Sequence, residues 1–506
     1  MNPSAKSKLV LVWLKKDLRT SDHEAFARAI ETGLPIYAFY LFEPGLLSEP
    51  DSDIRHLRFI WESLEDLNKR LRAFHAYIHI HYEDALSFFR RICESCEVVA
   101  VYSHQETGNQ ASFQRDIEVA KFLKSCGISW YEYKTSYIVR GLISGRVGWK
   151  EKWTDWMELP SIEPDWKKVS ELGLFIHPGN MRSKIPAYQS DLAKIEEKFL
   201  KFRKSEIHFQ KGGETEGREI LRTFLETRYK KYSGCISKPE ESRTHCSRLS
   251  PYLTWGNLSA RQVYQKTMRR RNKLGLYGKQ QLDRFLSRLA WRDHMIQKFE
   301  SECRIEFENF NPAYDVLKKE RRDDWLQAWQ EGRTGFPLVD ASMRCLNATG
   351  YLNFRMRAML VSFLTMILWQ DWRWGVHHMA RQFLDYEPGI HYFQFQMQAG
   401  TVGNHQIRIY NPYKQIADND PEAVFIRRWI PELENLPVED ILNWGKESPG
   451  LFSACTDYPQ PILDFKTAYH KARDTMFSLQ KSPEVQKHLA RIREIHIVDR
   501  KERSFQ

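Results

Sequence analysis

Between residues 8 and about 135, short β-branched and aromatic runs alternate with stretches whose apolar positions recur every three or four residues. The runs 8–12, 34–42, 76–81, 98–102 and 128–133 read as strands, and 55–72 and 112–126 as helices between them. Such alternation predicts an α/β domain with a doubly wound parallel sheet, whose ligands are expected outside the carboxyl ends of the strands. No Gly-x-Gly-x-x-Gly follows the first strand, so an ordinary dinucleotide-binding half is not predicted. From 136 to 205 the periodicity weakens and Gly141, Gly145, Pro160, Pro164, Pro178 and Pro186 recur, as in a connector. From 206 to 480 the pattern turns helical and aromatic. Segments 214–229, 282–299, 340–349, 355–372 and 377–384 predict a larger all-α domain. The end, 469–506, reads as a charged amphipathic helix running into a tail over 481–506. The domains expected are therefore 1–135, a connector 136–205, a helical domain 206–480 and the tail.

Charge adds a class of partner. The 506 residues carry 76 Lys and Arg against 65 Asp and Glu, a formal charge of +11, which favours an anionic partner such as nucleic acid. The longest apolar run, 358–369, is shorter than the ~20 residues that span a bilayer. No signal peptide precedes the first strand, so a cytoplasmic location without membrane attachment is expected. The eight cysteines are scattered. Cys93 and Cys96 form a Cys-x-x-Cys with no second pair at zinc spacing, so no metal site is expected. The same scatter argues against a cluster held by four cysteines.

The most informative text is residues 329–351, WQEGRTGFPLVDASMRCLNATGY. Gly332, Gly335 and Pro337 punctuate a turn. Val339, Met343, Leu346 and Asn347 then follow at helical spacing until Gly350 stops the helix. The next segment, Asn353 to Leu364, places Arg355 and Arg357 among apolar residues. A buried guanidinium demands an anionic partner, either a carboxylate or a phosphate-bearing cofactor. Upstream, His245-Cys-Ser-Arg-Leu-Ser-Pro-Tyr252 joins backbone amides and hydroxyls to a helix start, a natural anion site.

In these stretches the chain resembles the photolyase/cryptochrome family. The resemblance spans nearly the whole chain, on five motifs in family order, and implies an antenna-type α/β domain followed by a helical FAD-binding domain. Trp13 to His23 resembles the first strand and loop of the antenna domain, with Asp17, Arg19 and Asp22 keeping the charged pattern. These ions are read as ties between loop and domain. The phosphate turn implies cofactor contacts from Ser247 and Ser250 with Arg248 and Leu249 between them, Cys246 in place of a threonine, and Tyr232 upstream. Phe285 to His294 resembles the family's Trp-Arg-Glu helix. There Phe285 stands where a flavin-side Trp is usual, Arg288 replaces a lesion-bonding glutamate, Trp291 and Arg292 match residues facing lesion and DNA, and Asp293 is the nearest acid.

Arg355 and Arg357 match the family's pair, one reaching DNA and one bridged to an acid beside the flavin. Phe354 replaces an Asn, and Ala358 a lesion-contacting Met with Met359 adjacent. The turn Asp385-Tyr386-Glu387 resembles the cofactor turn, its acids neutralising Arg357. Counting from Asp385 puts His391 opposite flavin N5, and counting from the aromatic pair Phe393/Phe395 points to Gly389. Trp372 matches the middle tryptophan of the family's electron relay, and Phe393 occupies the proximal position. Phe395 matches a lesion-stacking Trp, and Gln415 sits at a DNA-contact position. The run Arg269 to Lys273 is read as a solvated face that could also track phosphates.

The resemblance implies a monomeric, light-driven lyase. It would split cyclobutane pyrimidine dimers in single- or double-stranded DNA, with reduced anionic FAD as electron donor and Arg288, Trp291, Asp293, Trp372 and His391 as candidate catalytic groups. An antenna chromophore is compatible with the first domain, although no residue pattern identifies one. The alternatives are a cryptochrome-type photoreceptor and, behind it, a six-four photoproduct lyase.

Overall fold

A computed structural model describes residues 7–142, 146–177, 209–446 and 456–496. Gly145, Pro178, Pro186, Cys455 and the end of the expected tail from 497 on lie outside the described residues. The chain divides into two compact units, Met1–Ile138 with Lys150–Arg222 and Leu249–Lys273, and Val139–Trp149 with Thr223–Arg248 and Leu274–Gln506.

In the first unit, five parallel strands form one sheet: β1 (Lys8–Leu14), β2 (Ile36–Leu41), β3 (Ile78–His81), β4 (Glu97–His104) and β5 (Ser129–Tyr133). Their order is β3-β2-β1-β4-β5, the doubly wound arrangement that the alternating pattern predicts. Val12 stands beside Ala38 on one side and Tyr102 on the other, so β1 is fully flanked. Because successive side chains alternate faces, Leu9, Leu11 and Trp13 share one core with Tyr37, Phe39, Phe88 and Phe89. The helices Ala85–Ser95 and Gln110–Ser125 cover that face through Ile92, Val119 and Leu123. With both faces covered, β1 reads as a continuous apolar run rather than an alternating one.

The loop after β1 is fixed by buried charge. Asp17 Oδ1 accepts from the Lys15 amide at 2.7 Å, and its Oδ2 meets His104 Nδ1 at 2.7 Å and His23 Nε2 at 3.2 Å. Arg19 donates to the carbonyls of Ser21, Asp22 and Gly256. Asp22 is ion-paired to Arg261. Gly256 has φ +70°, and a Cβ there would lie 2.1 Å from the Lys16 carbonyl oxygen, so this close approach requires glycine. Asp17, Arg19 and Asp22 thus tie the loop down, as read from their pattern. In the Asp17–His23–His104 group, Asp17 is hydrogen-bonded to His104 and in charge contact with His23. His23 Nδ1 accepts from the Phe26 amide and caps Glu24–Glu31, which leaves Nε2 carrying the proton and unsuited to a metal ion.

The second unit is helical. Its longest element, Leu276–Ser301, packs against Pro388–Gln398, which also packs against Phe354–Ser362. Gly389 makes the first contact possible, since a Cβ there would stand 2.9 Å from Ile296 Cα. The 329–351 signature forms helix Pro337–Thr349, with proline in its first turn and Gly350 at φ +66° as its stop. Asp340, buried in that helix, accepts from the Thr334 and Gly335 amides, the Thr334 hydroxyl and the Tyr458 hydroxyl.

Two helical expectations need correction. Segment 355–372 is not one helix: Phe354–Ser362 passes into a π-helical turn, Phe363–Ile367, the chain then breaks with Trp369 at φ +52°, and Trp372–Gln382 begins anew. The end forms two helices, Phe465–Gln480 and Pro483–His496, the second burying Val485, Leu489 and Ile492.

Four imidazoles of the first unit are buried without charge. Burial lowers His79 and His104 to about 4 and also lowers His23 and His81. An unfolded imidazole titrates near ~6.5, so between these values the unfolded chain binds more protons. Stability is complete above that range and falls as pH drops through it, by up to about 1.4 kcal/mol per pH unit for each imidazole. Urea unfolding of this unit followed by near-ultraviolet dichroism should lose stability from pH 7 to pH 5. A flat profile would show that these histidines are charged in the fold.

Candidate functional site

The site residues that the sequence singles out gather largely in the helical unit. Arg228 donates to the carbonyls of Cys246 at 2.5 Å and Ser247 at 3.4 Å, clamping the turn before Arg248. Arg248 adopts φ +59° and lays its guanidinium over the Tyr351 ring at 3.5 Å, a cation–π contact that orients it. Arg243 reaches Cys345 Sγ at 3.1 Å from the neighbouring helix Pro239–His245. Burial and the nearby Arg248 charge lower the Arg228 pKa. Burial and Arg243 lower Arg248, against partial relief from Asp385. Burial also pushes the Cys246 thiol up to about 12, so it stays neutral. Next in the chain, Leu249 is buried, and Ser250 opens the short helix Ser250–Thr254 with Pro251 behind it.

Arg357 donates to Asp385 Oδ2 at 2.9 Å and to the Leu352 carbonyl at 2.7 Å, and it covers Phe383 at 4.0 Å. The arginine demanded by the sequence therefore meets the aspartate offered for it. Tyr386 and Glu387 are buried in the same turn. Tyr232 and Phe285 meet edge to face at 6.0 Å, with Phe224 beside both. His391 Nε2 bonds the Val376 carbonyl at 2.9 Å, and its ring packs on Tyr386 and Phe395 at 5.3 and 5.4 Å. That bond sets the proton on Nε2 and leaves Nδ1 as the acceptor.

On the helix Leu276–Ser301, Arg288 is exposed with its guanidinium 5.6 Å from the Trp291 ring, and Trp291 and Arg292 are half-buried. Phe354 is 48% exposed at the first position of its helix, after Asn353 caps it. Arg355 beside it lies over Tyr410 at 5.9 Å.

Other expectations are corrected. Asp293 is wholly buried and paired with Arg292 at 2.8 Å, so it presents no acid to a substrate. Met359 is buried in the core, as is Ala358 before it. Phe395 and Gln415 are also buried, Gln415 accepting from Asn419, and in this arrangement none of Met359, Phe395 and Gln415 reaches a DNA strand. Trp372 is buried and donates to Asn309 Oδ1 at 2.9 Å. Sequence reasoning missed Arg228, Arg243 and Tyr351. Arg228 and Arg243 stand in polar, charged text that gives no signal of a site, and only the fold brings them to one turn.

Comparison with known proteins decides the family. Residues 285–478 match the FAD binding domain of DNA photolyase, and residues 10–141 match DNA photolyase. The chain belongs to the photolyase/cryptochrome family. It is 27% identical over 486 residues to a deoxyribodipyrimidine photo-lyase of Halobacterium salinarum, covering 90% of this chain and 96% of that one. It is 26% identical over 505 residues to cryptochrome DASH of Synechocystis, covering 92% and 97%. Among solved structures, an archaeal photolyase from Sulfolobus tokodaii with two FAD molecules shares the fold, with TM-score 0.74 and 24% identity over 93% of this chain and 99% of that one. Among the described residues, no helix is long and apolar enough to cross a membrane.

The residues present fit the family's FAD. Burial and a neighbouring arginine lower the pKa of Arg228 and Arg248, cations that a diphosphate would suit, and Arg357 is held by Asp385. The aromatic wall of Tyr232 and Phe285 and the acceptors of Asp385 and Glu387 suit the rest of a flavin nucleotide. Arg248→Met should therefore weaken FAD retention about tenfold or more. The check is flavin absorbance per chain after dialysis together with the melting temperature of the FAD-free protein, which should not fall. Full flavin retention would remove Arg248 from the cofactor site.

Proposed function

We propose that the protein is a light-driven DNA repair lyase that splits cyclobutane pyrimidine dimers. One observation carries this reading. Arg288 is an exposed cation stacked near Trp291, close enough to Tyr232 of the cofactor wall to act on its hydroxyl electrostatically. Among the described residues, Arg288 makes no ion pair, so its five donors are available to a ligand.

Bound FAD, reduced and excited by blue light, supplies one electron. This chain's residues do the rest. Chemistry on bases requires taking them out of the stack, and the half-buried Trp291 offers a ring face on which an extruded base can rest. Arg288 donates hydrogen bonds to pyrimidine carbonyls and stabilises the negative charge that an added electron places on them. Because a guanidinium does not give up its proton near neutrality, Arg288 steadies that charge without protonating it. The two carbon–carbon bonds joining the pyrimidines then break and the electron returns, leaving no net redox change. Phe354 and Arg355 at a helix start offer an apolar edge and a cation to the flanking strand.

The reduced, FAD-loaded protein should be illuminated with single- and double-stranded DNA containing dimers. Dimer loss only in the light supports the lyase. Flavin photoreduction without dimer loss supports the alternative, a cryptochrome-type photoreceptor. Arg288→Ala should lower repair about a hundredfold while keeping FAD absorbance. Unchanged repair would exclude Arg288 from the lesion site.

A further inference from the structure

A second group of buried cations lies beyond the cofactor residues, at the far end of Leu276–Ser301. Lys298 is 5% exposed, and its ammonium lies 4.4 Å from the centre of the Phe393 ring. Arg146, 2% exposed, gives one nitrogen to His496 Nδ1 at 2.6 Å, and its Nε and Nη1 have no hydrogen-bond partner. His405, half-buried against Phe393 at 6.4 Å, likewise has its Nε2 without a partner. His294, also half-buried, completes the wall on the same helix as Lys298 and feels the charges of Lys298, Arg146, His496 and His405.

The nearby carboxylate does not neutralise the group. Glu302 accepts from His496 Nε2 at 2.7 Å and from Arg304 at 2.6 Å, and these bonds hold it at about 2. Its charge favours the Arg146 cation across the intervening imidazole without forming an ion pair with it, and burial still lowers Arg146 to about 9. Among the described residues, Lys298 makes no ion pair, and burial together with Arg146 lowers it to about 7. A buried ammonium and a buried guanidinium that act on one another electrostatically need a counter-ion. The half-buried His405, His294 and Asn404 leave that side open to a small solute.

We propose that Arg146, Lys298 and His405 form a binding site for one small inorganic oxyanion of the sulfate or phosphate type, separate from the cofactor site. Such an anion accepts from the unpartnered Arg146 and His405 nitrogens and from the Lys298 ammonium, and it keeps Lys298 protonated. It thereby joins the end of Leu276–Ser301 to Pro388–Gln398 and Pro483–His496, the helices that carry Phe393 and His496.

The test uses the FAD-loaded protein in chloride buffer, titrated calorimetrically with sodium sulfate at constant ionic strength. Sulfate remains a dianion throughout, so any pH dependence belongs to the protein. One sulfate should bind per chain, more tightly at pH 6 than at pH 8.5, without changing the flavin spectrum. Lys298→Met should weaken binding about tenfold or more. The same variant should melt no lower than the parent in chloride, since it removes a buried charge, and should lose the stabilisation that sulfate gives the parent. Phosphate titrated at pH 6 should compete with sulfate. The absence of saturable heat, unchanged binding in Lys298→Met (an adventitious ion only) or sulfate that displaces FAD would each overturn the site. A lower melting temperature for Lys298→Met in chloride would overturn it too, because Lys298 would then be neutralised by the fold itself.

Discussion

The helical unit is organised by one constraint: a guanidinium withdrawn from water must meet an anion or an electron-rich surface. Arg357 meets Asp385 and the face of Phe383, and Arg248 meets Tyr351. Arg228 spends its donors on the carbonyls of the turn that places Arg248. Burial lowers the pKa of Arg228 and Arg248 despite these contacts, so a bound flavin diphosphate would favour their charged forms and stabilise the fold that holds them.

Rigid helices deliver these groups. The Leu276–Ser301 helix runs about 1.5 Å per residue, so Phe285, Arg288 and Trp291 occupy one region and Lys298 lies roughly two further turns away. The close approach at Gly389 lets Pro388–Gln398 lie against this helix, which sets the depth of His391 and Phe393. Such packing explains why the aromatic residues of Pro388–Gln398 are buried even though several carry polar edges.

The sheet was legible because β1, flanked on both sides, writes a continuous apolar run, and the edge strands β3 and β5 are short β-rich runs bounded by polar or turn residues. The arginine–aspartate pairing was legible because burial of Arg357 demands an acid and the Asp385 turn supplies one. Less could be read where the outcome depends on rotation about a helix axis. Asp293 sits one residue from Arg292, and that step carries it from the accessible face into the core. The break near Trp369 was hidden inside an apolar run whose composition is the same for a continuous helix and a broken one. The clustering of Arg228, Arg243 and Tyr351 is a tertiary fact, with more than a hundred residues between the first and the last.

The π-helical turn at Phe363–Ile367 has a consequence for inheritance. A π turn closes its hydrogen bonds over one more residue than an α turn, so it marks a place where a single residue can be gained or lost while the flanking helices keep their faces. All five of its residues are buried, so such a change alters the course of the chain inside the core rather than at a surface loop. Trp372 begins the next helix only a few residues later. Its placement relative to Arg355 and Arg357 is therefore adjustable over evolutionary time in steps of one residue, independently of the arginines themselves.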